Sequence, residues 1–156
     1  MQKIAKGAII AAVYVVLCLA FQPLSYGVIQ LRFAEALTLL PLLYVEAIPG
    51  VFVGALIANI FGGLGLVDIF GGSLVTLVAA YFTYQLRDSF LAYLSPVIFN
   101  GFLVSAYLHL LFGWPYWLTV FSIGVSEALV VFTLGRGLVH LLKKYSIGLG
   151  DKERLF

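Results

Sequence analysis

The sequence predicts an all-α integral membrane protein: a single domain, 1–156, built as a bundle of six transmembrane helices. Three observations carry this. The composition is 63% hydrophobic and only 10% charged, with a mean hydropathy of +1.10, which a water-soluble core does not require. The apolar residues fall in runs near the ~20-residue length of a membrane span, and most charges lie at the chain ends or between runs. The runs also lack the period-two alternation of a membrane β-barrel.

The first run, 4–21, follows Lys3 and Lys6. The next segment is apolar too, and no small-residue cleavage site precedes a polar domain, so the run reads as a span rather than a signal peptide. Gln22, Pro23, Ser25 and Gly27 break it. The second, 33–46, is short and contains Pro41; the third, 50–62, ends at Gly62-Gly63. An alternative count fuses these two into one bent hairpin that does not fully cross. After Gly65 and Asp68 comes the fourth run, 69–86, closed by Arg87-Asp88. The fifth, 90–112, contains Ser95-Pro96, which reads as a helix cap and first-turn pair. Gly113-Trp114-Pro115 turns the chain into the sixth, 116–142, which ends at Lys143-Lys144.

Six spans put both termini on one side. Of the nine basic residues, Lys3, Lys6, Arg87, Lys143, Lys144, Lys152 and Arg154 fall on that side, Arg136 lies nearest to it, and only Arg32 falls opposite. The positive-inside rule therefore predicts a multi-pass protein of the cell membrane with both termini cytoplasmic, and Trp114, Tyr116 and Trp117 at the outer interface.

Composition also narrows the chemistry. A single cysteine, Cys18, rules out an internal disulfide and a cysteine-based metal site. No nucleophile–base pair, metal-ligand spacing or redox motif is present, so neither an enzyme nor a cofactor is expected, and no long basic run is available to dock nucleic acid.

Charged and amide side chains inside apolar runs are the candidates for function, because burying them in lipid is costly. Glu127 stands out. It lies ten residues below Trp117, about 15 Å along a helix, among Ile123, Val125, Ala128 and Leu129. Asn100 in the fifth run is a companion, since an amide there also needs partners, with Asn59 and His109 toward the outer ends of their spans. Arg32 and Glu35, three residues apart, suit a mutual ion pair that still contacts a ligand. Asp68 suits a helix N-cap or a site residue beside a glycine-rich outer gate. Tyr107, Trp114 or Tyr116 offers a ring on which a flat ligand stacks. In the first span, Gly7/Ala11 and Ala8/Ala12 form two small-residue pairs four apart, a face for close helix approach, either within the bundle or toward another membrane protein.

These features together resemble the substrate-binding S component of an energy-coupling factor (ECF) transporter, and more closely the QueT-type family. The residues that carry the resemblance are 30–38 (QLRFAEALT), 61–68 (FGGLGLVD), 72–74 (GSL), 96–100 (PVIFN) and 124–127 (GVSE), with the small-residue face of the first helix. The resemblance implies an S-component fold and uptake of a queuosine precursor, a 7-deazaguanine such as the aminomethyl form, the nitrile form or queuine. It implies docking of the first helix on a transmembrane coupling subunit, and energy from two cytosolic ATPases; the chain itself has no Walker motif. Two readings compete with it: an S component for another vitamin, such as folate or thiamin, and a membrane scaffold without transport.

Overall fold

The computed structural model describes residues 1–26 and 30–148; Gly27 and the basic residues Lys152 and Arg154 lie outside the described residues. Among the described residues every regular element is helical. Helix α1 spans Gln2–Ala20, and the short α2, Gln22–Ser25, carries Pro23 in its first turn. A 3₁₀ helix follows over Phe33–Leu42, then α3 over Ala47–Gly62. A π-helical turn, Asp68–Gly72, leads into α4, Ser73–Gln85. Helices α5 (Leu91–Phe99) and α6 (Ser105–Phe112) are joined without a break by a π turn at Asn100–Val104. Helices α7 (Tyr116–Val130) and α8 (Arg136–Gly148) are joined in the same way by Val131–Gly135. The last helix therefore runs past Lys143-Lys144, beyond where the sequence suggested it would stop.

Among the described residues three helical runs are long and apolar enough to cross a membrane: Gln2–Ala20, Leu91–Phe112 and Tyr116–Tyr145. Their surfaces invert the soluble pattern. In α1 the buried face repeats at Ile10, Tyr14 and Cys18, yet Ile9, Val13 and Val16 on the outside are just as apolar. Many of the polar side chains, including Glu35, Asn59, Asp68, Asn100 and Glu127, are instead in the interior. An apolar exterior around a polar centre is what a helix bundle adopts when lipid is the outer solvent.

The 3₁₀ helix is the centre of the molecule. It packs against α1, α3, α4 and the π turn before α8, and every residue from Ala34 to Leu42 is buried. Ten residues of 3₁₀ helix reach about 20 Å, and the sixteen of α3 about 24 Å, both short of a ~30 Å hydrocarbon layer. Within the 3₁₀ helix the Thr38 hydroxyl donates to the Glu35 carbonyl at 2.6 Å. Such a bond three residues back suits the tighter winding.

Helices α1 and α3 meet backbone to backbone. A Cβ on Gly50 would stand 2.8 Å from the Gly7 carbonyl, and one on Gly54 only 2.7 Å from Tyr14 Cβ. The Gly7/Ala11 side of α1 is thus packed inside the molecule, whereas Ala8 and Ala12 are exposed.

Ser95-Pro96 does not begin a helix. Helix α5 starts at Leu91 and carries Pro96 inside it. The Ser95 hydroxyl donates across to the Ala79 carbonyl of α4 at 2.8 Å, so the side chain ties two helices together rather than capping its own.

Candidate functional site

Four elements bring polar side chains to one point. Glu35 sits in the first turn of the 3₁₀ helix, Tyr14 midway along α1, Asn100 at the start of the π turn between α5 and α6, and Glu127 near the end of α7. The Asn100 amide donates to Glu127 Oε1 at 2.5 Å and to Glu35 Oε2 at 3.3 Å. Glu35 Oε1 accepts a 2.5 Å bond from the Tyr14 hydroxyl. One amide therefore bridges two carboxylates that are 2% and 6% exposed. Both bonds come from its NH₂ group, which has two N–H donors to give.

Asn100 reaches both partners because of local backbone winding. A π turn carries an extra residue, which widens the helix and redirects its side chains, and such turns recur at functional sites. Asp68 opens a π turn in the same way.

Arg32, Glu35, Asn100 and Glu127 line a cavity together with Gln30, Gly72, Thr76, Val104 and Ile123. Closely packed side chains leave the centre of only one water-sized sphere room inside, about 10 Å³. That is about one water molecule. Three buried polar atoms of the lining have no hydrogen-bond partner among the described residues: Gln30 Nε2, Arg32 Nη2 and Glu127 Oε2. Buried polar groups are normally satisfied, so this concentration makes the cavity the candidate site.

The ion pair expected between Arg32 and Glu35 is not formed. Arg32 precedes the 3₁₀ helix with an extended backbone, φ −95° and ψ 101°, so the three-apart rule for residues within one helix does not apply. Its Nε donates instead to the Ser25 carbonyl at 3.2 Å, and its guanidinium lies 5.3 Å from the centre of the Tyr26 ring. That ring is held by a 2.6 Å bond from its hydroxyl to the Ala58 carbonyl.

A second polar cluster adjoins the first at Gly72. Asp68 Oδ1 accepts from the Tyr107 hydroxyl at 2.6 Å, and the Asn59 amide donates to the Asp68 carbonyl at 3.0 Å. Asp68 makes no N-cap hydrogen bond; its carboxylate is turned toward α6. A Cβ on Gly72 would stand 2.9 Å from Asn59 Nδ2 and 3.2 Å from the Tyr107 hydroxyl, so only glycine lets the cluster close. Asp68 Oδ2 and Asn59 Oδ1 are buried without partners.

A model of the QueT transporter family matches residues 4–144. The chain belongs to this family. No curated protein and no solved structure matches it. The QueT family is one of transporters rather than enzymes, and membership agrees with the three long apolar helices.

Of the residues singled out from the sequence of this QueT family member, Arg32, Glu35, Asn100 and Glu127 come together in the cavity, and Asn59, Asp68 and Tyr107 form the adjoining cluster. His109 and Trp114 stand apart. The exposed His109 holds the Trp114 carbonyl at 2.6 Å through Nδ1. The Trp114 side chain packs on the apolar group of Val75, Val104, Leu108 and Ile123 behind the cavity. Neither these two nor Tyr107 or Tyr116 lines the cavity with a ring. Sequence reasoning did not name Tyr14, Gln30, Gly72 or Thr76 as site residues, although Gln30 and Gly72 stand in segments that carry the family resemblance. A tyrosine in an apolar run and a glycine before a helix carry no signal of their own. Gln30 does, as a polar residue adjoining the buried Arg32-to-Glu35 stretch.

Proposed function

We propose that this transporter is the S component of an ECF importer and that it captures a queuosine precursor of the 7-deazaguanine type. The observation that carries the reading is the buried Glu35–Asn100–Glu127 triad, which leaves Glu127 Oε2 free in the cavity. A guanine-type edge presents adjacent N–H donors, and a carboxylate is their strongest neutral-pH acceptor. Two acidic groups, Glu35 and Glu127, line the cavity beside one cation, Arg32, which suits the amine-bearing aminomethyl form. Asp68 and Asn59, with their own unpartnered oxygens, offer acceptors for that amine beside the ring site.

In this reading the chain crosses the membrane six times, with both termini in the cytoplasm and the cavity toward the outer face. The cavity has room for about one water, so the ligand enters after a widening movement. The turn from Gly63 to Gly65 is suited to it: both glycines have positive φ, 73° and 91°, and a Cβ on either would meet nothing within 4 Å. The exposed Ala8/Ala12 face of α1 then docks on a transmembrane coupling subunit, and two cytosolic ATPases supply the energy.

The test is ligand identification. The chain purified in detergent should retain a deazapurine detectable by mass spectrometry and bind 7-aminomethyl-7-deazaguanine by calorimetry. Retained folate or thiamin would move the chain to another vitamin. No retained molecule and no deazapurine binding would leave a scaffold reading in its place.

A further inference from the structure

The triad accounts for one of the three unpartnered atoms in the cavity. The other two, Gln30 Nε2 and Arg32 Nη2, are donors. Gln30 is 6% exposed and its φ is 49°, in the left-handed region that residues other than glycine, asparagine and aspartate seldom adopt. An unfavourable backbone thus holds a buried amide at the cavity wall with its N–H groups idle, and strain of this sort gathers at ligand clamps.

We propose that Gln30 is a specificity-determining residue which, with Arg32, donates hydrogen bonds to a ring carbonyl of the ligand and so selects 6-oxo over 6-amino deazapurines. The proposal rests on the deazaguanine reading and adds the part of the ligand that Glu127 does not bind. Two donors lining one small cavity need an acceptor with two lone pairs, and a carbonyl oxygen has them. An anionic acceptor is disfavoured, because Glu35 and Glu127 line the same space. A neutral lactam presents a carbonyl next to a ring N–H, which matches a donor pair and a carboxylate acceptor in one cavity. A 6-amino ring would set N–H groups against N–H groups and leave the buried donors unpaired, the arrangement by which polar sites reject close analogues most strongly.

The experiment compares 7-aminomethyl-7-deazaguanine with its 6-amino counterpart by calorimetry on the detergent-purified protein. Gln30→Met keeps the side-chain length and the backbone requirement but removes the donors. The wild type should bind the 6-oxo compound at least about a hundredfold more tightly, since several buried hydrogen bonds are at stake. In Gln30→Met the 6-oxo affinity should fall about tenfold while the 6-amino affinity holds or rises, so the ratio shrinks by about tenfold or more. If Gln30→Met does not fold, Gln30→Asn, which suits the left-handed backbone and retracts the amide, should shrink the ratio in the same direction. An unchanged ratio in a folded variant, or equal loss of both compounds, overturns the role of Gln30 alone. Failure of the wild type to bind either compound overturns the deazaguanine reading and this proposal with it.

Discussion

Asn100 donates to Glu127 at 2.5 Å across the interface between the α5–α6 helix and α7. Its other N–H reaches Glu35 in the central 3₁₀ helix. The amide therefore links three elements through one side chain, and it stands between two carboxyl groups.

Replacing Asn100 by Leu should remove both bonds and leave the carboxylates facing each other. Losing one partner of a buried hydrogen-bonded carboxylate costs about 1.5–3 kcal/mol per bond. We expect a clear drop in the thermal unfolding midpoint and no measurable ligand binding. Asn100→Asp, of the same shape but with donors replaced by acceptors, should be equally harmful. A Leu variant as stable as the wild type would mean that the bridge does not hold the bundle.

Tyr14→Phe tests the outer link of the same network. The Tyr14 ring is completely buried, and its hydroxyl is 2.5 Å from Glu35 Oε1. Removing only the oxygen leaves packing against Gly54 intact but deprives Glu35 of a donor. Stability should fall by about 1–3 kcal/mol, with ligand affinity weakened several-fold because Glu35 is freed to shift. Thermal unfolding alongside calorimetry reads both.

Much of the helical plan was legible in the sequence, and the reasons are local. Gly63 and Gly113 end α3 and α6 in left-handed conformations, 73° and 68°, which glycine alone adopts without penalty. Long apolar runs such as Tyr116–Val130 cannot be mistaken for strands. The winding within helices was not legible. Nothing in 33–42 distinguishes a 3₁₀ helix from an α-helix, because the choice is made by packing on all sides. The π turns at Asp68 and Asn100 are equally silent. The same divide runs through the site. Glu127, Asn100 and Glu35 were visible as polar groups in apolar runs, but their joining through one amide depends on that hidden winding. Arg32 was visible too, yet its partner was misjudged because it lies just outside the helix whose periodicity suggested the pair.

Helix α1 offers a contrast between its two small-residue faces. Ala11 is buried against α3, whereas Ala8 and Ala12 are exposed. Ala8→Trp with Ala12→Trp should leave folding and ligand binding of the isolated subunit nearly unchanged and abolish uptake in cells that supply the coupling subunit and ATPases. Ala11→Trp should instead lower stability by several kcal/mol, since overpacking meets backbone on the facing helix. Loss of ligand binding in the double variant would assign the Ala8/Ala12 face to the fold instead of to docking.

Gly72→Ala probes whether the two polar clusters act as one site. The added methyl would stand 2.9 Å from Asn59 Nδ2 and 3.3 Å from Asp68 Oδ1, pushing the second cluster open while the Glu35–Asn100–Glu127 triad keeps its bonds. If the Asp68 cluster receives the ligand amine, the aminomethyl compound should lose about tenfold in affinity and the uncharged nitrile compound much less. Equal loss for both compounds would limit the cluster to a structural role.

Glu127→Gln is the sharpest test of the ligand site. Glu127 Oε1 accepts from Asn100, and Oε2 has no partner. Glutamine preserves the acceptor toward Asn100 and exchanges the idle oxygen for an NH₂ group. The fold therefore loses no hydrogen bond, and a desolvated charge disappears from beside Glu35, so the ligand-free protein should be as stable as the wild type or more so. The ligand, however, loses a charged acceptor and meets donors in its place. A hydrogen bond to a charged group contributes about 1.5–3 kcal/mol, so affinity for 7-aminomethyl-7-deazaguanine should fall roughly tenfold to a hundredfold. A merely structural carboxylate would give the reverse pattern, with stability lost and affinity kept. Unchanged affinity in a well-folded Glu127→Gln protein would remove Glu127 from the ligand site and leave Asn100, through its carbonyl oxygen, as the group to test next.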